Sequence, residues 1–339
     1  MQMSRIGKGR ILAGLVSLVM LACLLPAAAM ATTLQDTGTA GGYVAGEVFR
    51  EGTRHVFTSD FGGGTVVYDG KHTLTLTNVN LDKINIALGQ PNCFIYTQQM
   101  QQLTVKLVGT NKITYKSGEG IWLNYVGGLT IEGPGTLTLA TKEGCITAQQ
   151  VVVDGAKLTV QSLGDHYGIS SGNIKVVGGS TLTVNGPSEK SKVRAAAPAA
   201  ISASSNVTVN NSKLIVTGEI VADGDIIIED VSGKPTSEVI ADGGIKARQI
   251  IVRPAPGTRM QVHASQQAGG TPAFESSFNT DQTFPNTHEL FNYGYVHIKA
   301  YEIPLPQTGD NAPIALWLTL LLASGMAITV LAKRRLYNR

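Results

Sequence analysis

Short segments in which apolar residues alternate with threonine or other polar residues recur through most of this chain, from about Leu74 to Ala264. Alternation with a period of two is typical of a β-strand that buries one face and exposes the other. Four copies share the order strand, tight glycine or asparagine turn, strand: LTIEGPGTLTL (129–139), VVVDGAKLTV (151–160), IKVVGGSTLTV (174–184) and VTVNNSKLIV (207–216). No segment of this region keeps a helical period, so the pattern predicts an all-β fold.

The repeats also have a regular length and a third short strand. First strands begin at eight positions, which are Leu74, Leu103, Leu129, Val151, Ile174, Val207, Ile226 and Ile250. Third strands are expected at 94–96, 120–122, 145–147, 168–170 and 200–202. Three short strands in roughly 22 to 26 residues predict a right-handed parallel β-helix of about eight rungs. A β-sandwich is the alternative, but its turns recur every ~8 to 12 residues without a triple-strand period.

The beginning of the chain has the parts of an export signal. Three basic residues precede the apolar run Ile11–Leu25, and Ala29-Met30-Ala31 provides small residues for cleavage. We therefore expect residues 1–31 to be a signal peptide. Cys23 raises a lipoprotein alternative, but Leu21 is bulky where a lipobox has a small or β-branched residue.

The end of the chain combines a pentapeptide, an apolar segment and a basic tail. Leu305, Pro306, Gln307, Thr308 and Gly309 form the sequence LPQTG. The uncharged segment 313–332 follows, and then Lys333-Arg334-Arg335. Twenty residues at ~1.5 Å each can cross a ~30 Å hydrocarbon layer, and the basic cluster would remain on the cytoplasmic side. The apolar segment alone would equally fit a plain membrane anchor.

This arrangement resembles the LPxTG cell-wall sorting signal of Gram-positive surface proteins. The resemblance implies that a sortase attacks the Thr308 carbonyl and transfers the new C-terminus to peptidoglycan, so the chain would be the substrate of sortase. Pro306 favours an extended backbone that a groove can bind, and Gly309 leaves the attacked carbonyl uncrowded.

These patterns divide the chain into five segments. They are the signal peptide 1–31, an N-terminal segment and cap 32–64, the β-helix 65–265, a C-terminal cap 266–303, and the sorting signal 304–339 with a transmembrane helix at 313–332. Short strands are expected at 44–49, 55–57 and 295–301. The C-terminal cap is suggested by clustered aromatic residues, which a ligand pocket would also explain: Phe274, Phe278, Phe284, Phe291, Tyr293 and Tyr295.

Processing at both ends changes the charge of the mature protein. The whole chain has 27 basic and 24 acidic residues, whereas residues 32–308 retain 20 basic and 23 acidic residues. A net charge near −3 gives no support for a nucleic-acid partner. A basic loop at 185–198 is the local exception, and it is either solvated or a docking loop for an anionic wall polymer.

Two cysteines remain after removal of the signal, Cys93 and Cys145. The repeat alignment places them two rungs apart and out of phase by one residue. A strand spacing of ~4.8 Å then separates them by more than the ~7 Å that a disulfide can span. We therefore expect two free, mostly buried thiols.

Within the repeats, the motifs DGKHTLTLTNVNL (69–81), VGTNKI (108–113) and GPGTLTL (133–139) resemble those of β-helical surface proteins of Gram-positive commensals. These proteins are grouped as carbohydrate-binding-like domains, and the resemblance covers roughly residues 65–265. It implies the β-helix fold and a glycan ligand.

The residues at the outward positions of each strand type indicate whether the chain has a catalytic face. β-Helix lyases and hydrolases need carboxylates on adjacent rungs. First strands have Thr75, Thr104, Thr130, Val152, Lys175, Thr208, Ile227 and Ile251 at these positions. Second strands have Thr114, Thr138, Thr159, Thr183, Ile215 and Gln261, and third strands have Tyr96, Trp122, Thr147, Ser170 and Ser202. No face has a carboxylate column, so we expect no catalytic residues, no metal and no cofactor.

Acidic residues occur at the turns instead, where aspartate commonly bonds the backbone. The strongest candidate for an enzymatic site is the cluster Asp223, Asp225 and Asp242, which could bind calcium with Lys246 and Arg248 as basic partners. A weaker enzymatic candidate is Asp165-His166-Tyr167, where a histidine beside an aspartate in a turn would also be explained by solvation alone.

Aromatic residues suggest a binding site more directly. Tyr96 and Trp122 have the same register on neighbouring rungs, so their rings should lie about 5 Å apart on one exposed face, with Tyr115 and Tyr125 nearby. Flat aromatic rings stack on the apolar faces of sugars, and tryptophan also offers an N–H donor. Packing and β-propensity alone would equally explain such residues.

These observations together predict a wall-anchored, non-catalytic, adhesin-like β-helix that binds host or microbial glycans. The runner-up is a polysaccharide lyase or hydrolase on the same scaffold, and the third hypothesis is a structural wall protein without a ligand. Only Glu302, Ile303 and Pro304 separate the last expected strand from Leu305, so the domain would lie close to its anchor.

Overall fold

The computed structural model of the chain describes residues 40–84, 86, 90–124, 127–187, 198–231, 235–303, 320, 321 and 333. Several predicted features lie outside these residues, among them the signal peptide, the LPQTG motif, almost all of the segment 313–332, most of the basic loop, and Tyr125. None of the helices in the described ranges is both long and apolar enough to cross a membrane.

The described residues form 28 strands and one short 3-10 helix. The first strands are β1 (Ala40–Val44), β2 (Glu47–Arg50), β3 (His55–Val56), β4 (Thr65–Tyr68), β5 (Thr73–Thr77), β6 (Asn80–Leu81), β7 (Cys93–Thr97), β8 (Gln102–Val108) and β9 (Thr110–Tyr115). The middle strands are β10 (Glu119–Leu123), β11 (Gly128–Glu132), β12 (Thr136–Thr141), β13 (Ile146–Asp154), β14 (Lys157–Ser162), β15 (Ile169–Val177), β16 (Thr181–Asn185), β17 (Ile201–Ala203), β18 (Val207–Asn210) and β19 (Lys213–Thr217). The last are β20 (Ile220–Ala222), β21 (Asp225–Glu229), β22 (Glu238–Asp242), β23 (Ile245–Lys246), β24 (Gln249–Arg253), β25 (Thr258–Ser265), β26 (Phe274–Phe278), β27 (Gln282–Pro285), the 3-10 helix (Glu289–Asn292) and β28 (Tyr295–Glu302).

Most of these strands pair in parallel and form three ladders. Ladder 1 runs through β5, β8, β11, the second half of β13, the second half of β15, β18, β21 and β24. Ladder 2 runs through β6, β9, β12, β14, β16, β19 and β22. Ladder 3 runs through β7, β10, the first halves of β13 and β15, β17, β20 and β23. The all-β prediction is therefore confirmed, and the parallel pairing is compatible with a parallel β-helix.

The core follows from the alternation in the sequence. In ladder 1, inward residues such as Leu103, Leu129, Val151 and Ile174 are fully buried, and each stands next to the previous one in the ladder. Burying an aliphatic side chain stabilises a fold by about 1.5–3 kcal/mol, so this regular set provides most of the driving force for folding.

The register of the predicted repeats is correct in ladder 3 and partly wrong in the other two. In ladder 1, Thr104 pairs with Thr73 rather than Thr75, because β5 also forms an antiparallel hairpin with β4, which sets its position. In ladder 2, Thr138 pairs with Lys112 rather than Thr114. The cause is Asn111, which occupies a fully buried inward position next to Leu137.

Asn111 is stable at this inward position because its amide is hydrogen-bonded on both sides. Its Oδ1 accepts from the Val79 amide (2.9 Å), and its Nδ2 donates to the carbonyls of Val108 (3.3 Å) and Thr136 (3.2 Å). A pattern of apolar residues cannot reveal such a position.

The place of the last predicted member of the second-strand set, at Gln261, is also wrong. Gln261 lies in β25, which does not continue the parallel ladder. Instead, β28 pairs antiparallel with both β22 and β25, and Gln261 lies opposite Lys299. At the same end, β27 pairs antiparallel with β24. These antiparallel strands cover the open edges of ladders 1 and 2, which would otherwise be free to pair with other chains.

At the other end, an antiparallel strand also covers β7, the first strand of ladder 3. The expected strand at 44–49 is instead a hairpin of β1 and β2, turning at Ala45 (φ +48°) and Gly46 (φ +86°). Positive φ at both central residues gives a turn whose twist suits a two-residue hairpin. β1 then pairs antiparallel with β7.

The cysteine prediction is confirmed. Cys93 and Cys145 are both buried and free. Ile121 pairs with Ile95 on one side and with Ile146 on the other, so Cys145 is two strands away from β7 and in register with Phe94.

Candidate functional site

Tyr96 and Trp122 lie next to each other in ladder 3, as predicted. Trp122 pairs with Tyr96 on β7 and with Thr147 on β13. The ring centroids of Tyr96 and Trp122 are 5.4 Å apart, and the ring planes meet at 68°. This is an edge-to-face contact, so the two rings do not form one flat surface.

The expected exposure of Tyr96 is wrong. Its residue surface is only 8% exposed, because β1 pairs with β7 and places Tyr43 directly opposite Tyr96. The rings of Tyr43 and Tyr96 are 6.2 Å apart. Trp122 is half-buried and lines a surface cleft, so Trp122 is the aromatic residue of the pair that a ligand can reach.

Tyr115 does not join this face. It is 3% exposed, lies in ladder 2, and its hydroxyl donates to Asn92 Oδ1. Asn92 Nδ2 in turn donates to the Ser117 carbonyl at 2.6 Å, which holds the tyrosine in a packed corner. The position of Tyr125 lies outside the described residues.

A cleft of about 200 Å³ lies beside Trp122 and is called the acidic cleft below. Three successive repeats contribute to it, since β10, the turn before β13, and the turn before β15 all reach its wall. Its side chains include Glu119, Trp122, Glu143, Thr147, His166 and Tyr167.

Glu119 is the electrostatically unusual residue of the cleft. Burial raises the pKa of its carboxyl above the ordinary value, and the negative charge of Glu143 raises it further. The Cys93 thiol donates to Glu119 Oε2 at 3.6 Å, and this contact and His166 oppose the rise only in part. His166 Nε2 lies 3.5 Å from Asp165 Oδ1, and His166 and Tyr167 of the candidate segment Asp165-His166-Tyr167 line this cleft.

A second cleft of about 170 Å³ continues along ladder 3 and shares Thr147 and Ser170 with the acidic cleft. Its side chains are mostly hydroxyls and an amide, from Thr147, Gln149, Ser170, Ser171, Ser202 and Ser204. The two clefts together make a polar path beside Trp122 over several successive strands of one ladder.

Sequence reasoning found Trp122 but missed Glu119, Glu143 and Tyr43. A catalytic or binding carboxylate was expected in a column of outward strand positions or in the aspartate-rich turns, whereas Glu119 begins β10 and Glu143 lies in the segment before β13. A signal did exist, because both glutamates come shortly before the third strand of their repeats, at GEGIW (118–122) and KEGCIT (142–147).

The proposed calcium cluster is not assembled in the described residues. Asp225 accepts two hydrogen bonds from Arg248, at 2.8 Å from Nε and 2.7 Å from Nη2. Asp242 is on β22 in ladder 2, whereas Asp225 is on β21 in ladder 1. Among the described residues, no group of three or more His, Cys, Asp or Glu side chains is arranged to hold a metal ion.

Comparisons with protein-family models, curated proteins and solved structures found no match for this chain.

Proposed function

We propose that this chain is a surface protein that a sortase attaches to the cell wall of a Gram-positive bacterium. The proposal is supported by the order of the C-terminal features: LPQTG at 305–309, the uncharged segment 313–332, and then three basic residues. In this account residues 1–31 direct export, segment 313–332 holds the precursor in the membrane, and Thr308 becomes the covalent link to peptidoglycan.

The three ladders are proposed to be the three faces of a right-handed parallel β-helix. Three observations support this: each of the first seven repeats gives one strand to each ladder, the pairing between repeats is parallel, and β13 and β15 pass directly from ladder 3 to ladder 1. In such a fold, side chains at one register form columns about 4.8 Å apart, which can follow an extended polymer.

The proposed activity of the domain is non-catalytic glycan binding on ladder 3. The observation that carries it is the position of Trp122, which makes an edge-to-face contact with Tyr96 and borders the acidic cleft, with the second polar cleft continuing along the same ladder. A fixed indole ring offers an apolar surface to a sugar, and neighbouring hydroxyls and carboxylates can bond the sugar hydroxyls.

Tryptophan fluorescence during glycan titration tests this proposal. Only Trp122 and Trp317 are present, so a ligand on ladder 3 should change the Trp122 emission, and the change should be absent in Trp122→Phe. If no glycan alters the emission or binds in a second assay, the chain is better explained as a structural wall protein without a ligand.

A polysaccharide-active enzyme is the second candidate, because the acidic cleft contains two glutamates and the pKa of one is raised. Glycosidic cleavage uses a pair of carboxyl groups, one as the acid and the other as the base or nucleophile. Incubation with acidic and neutral polysaccharides distinguishes the two candidates. An enzyme releases oligosaccharides and loses this activity in Glu119→Gln, whereas a binding protein leaves the polymer intact.

A further inference from the structure

The two glutamates of the acidic cleft have no lysine or arginine partner among the described residues, whereas several other acidic residues of the domain do. In the described part of the chain, Glu219 pairs with Lys246 (2.7 Å), and Glu229 pairs with Arg253 (3.4 Å). Asp225 pairs with Arg248 (2.7 Å). Among these residues, no lysine or arginine pairs with Glu119 or Glu143, and no basic residue except His166 lines their cleft.

The lack of a cationic partner is unfavourable for Glu119 in the free protein. Glu119 is half-buried, so it loses part of its hydration, and Glu143 adds a like charge close by. A bound cation would relieve both effects, because it would supply the opposite charge at a partly desolvated position.

The aromatic wall of the cleft favours the same kind of ligand. Trp122 and Tyr167 border the space that the glutamates share. The face of an aromatic ring attracts a cation, and tryptophan does so most strongly. A compact ammonium group fits a cleft of about 200 Å³ that also admits the ring carrying it.

We propose that the acidic cleft binds the ammonium group of an amino sugar, so that ladder 3 selects glycans with free 2-amino groups over their N-acetylated forms. This inference rests on the glycan-binding function proposed above. N-acetylation removes the positive charge and leaves the sugar ring and its hydroxyls in place, so it isolates the contribution of the glutamates.

The surroundings of the cleft favour a glycan over a lysine-containing peptide. The polar path continues through Thr147, Ser170 and Ser202, whose hydroxyls both donate and accept hydrogen bonds, as sugar hydroxyls do. The three strands on which these residues lie are already paired on both sides within ladder 3, so they offer no free edge to a peptide backbone.

The test uses the full chain in a zwitterionic detergent without a sugar head group. Binding of a glucosamine tetramer, of its N-acetylated counterpart and of a lysine tetrapeptide is measured by calorimetry and Trp122 emission. The variants are Glu143→Gln, Glu119→Gln and, as a matched charge control on ladder 1, Glu132→Gln. Thermal unfolding shows that each variant is folded; Glu143 is exposed, so its replacement should not disturb packing.

The wild type and Glu132→Gln should bind the glucosamine tetramer at least about tenfold more tightly than the N-acetylated form, as for a cation held by carboxylates and an aromatic ring. Both cleft variants should lose most of this preference without weaker binding of the N-acetylated form. Equal affinities in the wild type, or an unchanged preference in both cleft variants, would overturn the inference while leaving glycan binding intact. Binding of the lysine tetrapeptide as tight as that of the glucosamine tetramer would also overturn it. If neither sugar tetramer binds, and no other glycan binds, the proposed glycan-binding function itself would be contradicted.

Discussion

Tyr43 of β1 lies opposite Tyr96 of β7, and this contact covers one of the two aromatic rings that the sequence places on ladder 3. The β1–β2 hairpin thus caps the first ladder-3 strand and leaves Trp122 as the accessible ring. The candidate site therefore depends on how closely the hairpin packs against β7.

Gly42 permits this close packing, and its replacement by alanine should weaken the cap. A Cβ at position 42 would lie 2.2 Å from the Tyr96 carbonyl oxygen and 2.9 Å from Cζ of Phe49. Overpacking of this kind typically costs about 1–3 kcal/mol. We expect Gly42→Ala to lower the free energy of unfolding by roughly that amount and to increase hydrogen exchange in β1 and β7.

Gly52 provides the control for this variant. It lies beyond β2, and an added Cβ there would meet no atom within 4 Å. Its φ of +84° still disfavours alanine, so some loss of stability is expected, but exchange in β7 should remain as in the wild type. Faster exchange in β7 for both variants would show that the packing at Gly42 is not the cause.

Glu238 lies on β22, between the parallel strand β19 and the antiparallel strand β28. Its contacts with both neighbours should make the free energy of unfolding depend on pH. Lys213 Nζ donates to Glu238 Oε2 at 2.9 Å, while His297 Nε2 and Lys299 Nζ lie 3.0 and 3.6 Å from Oε1. Burial alone would raise the pKa of Glu238, but the hydrogen bonds from Lys213 and His297 hold it below the ordinary value.

Because this pKa is lower in the folded state, ionised Glu238 stabilises the fold above the unfolded-state value of about 4.3. The contribution is lost as the pH falls through the lower, folded-state pKa. We expect Glu238→Gln to reduce the free energy of unfolding by about 1–3 kcal/mol near pH 7. The difference from wild type should shrink in denaturant titrations below about pH 4.

Glu302→Gln is the matched control, since Glu302 is an exposed residue at the end of β28. Its free energy of unfolding should differ from the wild type by less than about 0.5 kcal/mol. A Glu238→Gln effect that is no larger than this, or that grows as the pH falls, would contradict the structural role assigned to Glu238.

The two thiols should remain unreactive while the protein is folded. Burial raises the pKa of Cys93 well above its usual range and raises that of Cys145 to about 11, so little reactive thiolate forms near neutral pH. We expect a water-soluble alkylating reagent to label both residues only after denaturation. Mass spectrometry of the non-reduced protein should show no linkage between them, and a Cys93–Cys145 disulfide would contradict the observed register.

Thr308 should determine covalent attachment to the wall. Replacing Thr308 by alanine removes the residue whose carbonyl the proposed sortase attacks, so the protein should be released from isolated walls by boiling in detergent. Thr280→Ala, in the exposed segment before β27, should stay attached. If the Thr308→Ala protein stays on isolated walls as firmly as the wild type, attachment by a sortase would be contradicted.

The repeat pattern predicts the fold well because its alternation is imposed by burial. Leu103, Leu129 and Val151 had to face inward, and their register follows from the spacing of the turns. The pattern fails at Asn111, where a fully bonded amide replaces an inward aliphatic residue, and at β25, where long-range antiparallel pairing replaces the parallel ladder.

The candidate site was only partly predictable for a related reason. The distance between Tyr96 and Trp122 depends on local register, which the repeats define. The covering of Tyr96 by Tyr43 depends on contact between segments more than 50 residues apart, and Glu119 and Glu143 line the same cleft because of the turns that place them there. Neither arrangement leaves a periodic signal in the sequence.

The most direct test of the account is a glycan array probed with residues 32–304 and with the same segment carrying Trp122→Ala. The account predicts that the wild-type segment binds a defined set of glycans, and that Trp122→Ala loses at least about tenfold in affinity for them, as for removal of a stacked aromatic ring. Tyr301→Ala, which removes an aromatic ring on β28 far along the sequence from ladder 3, should bind like the wild type. Binding that is unaffected by Trp122→Ala, or no binding to any glycan, would contradict the account.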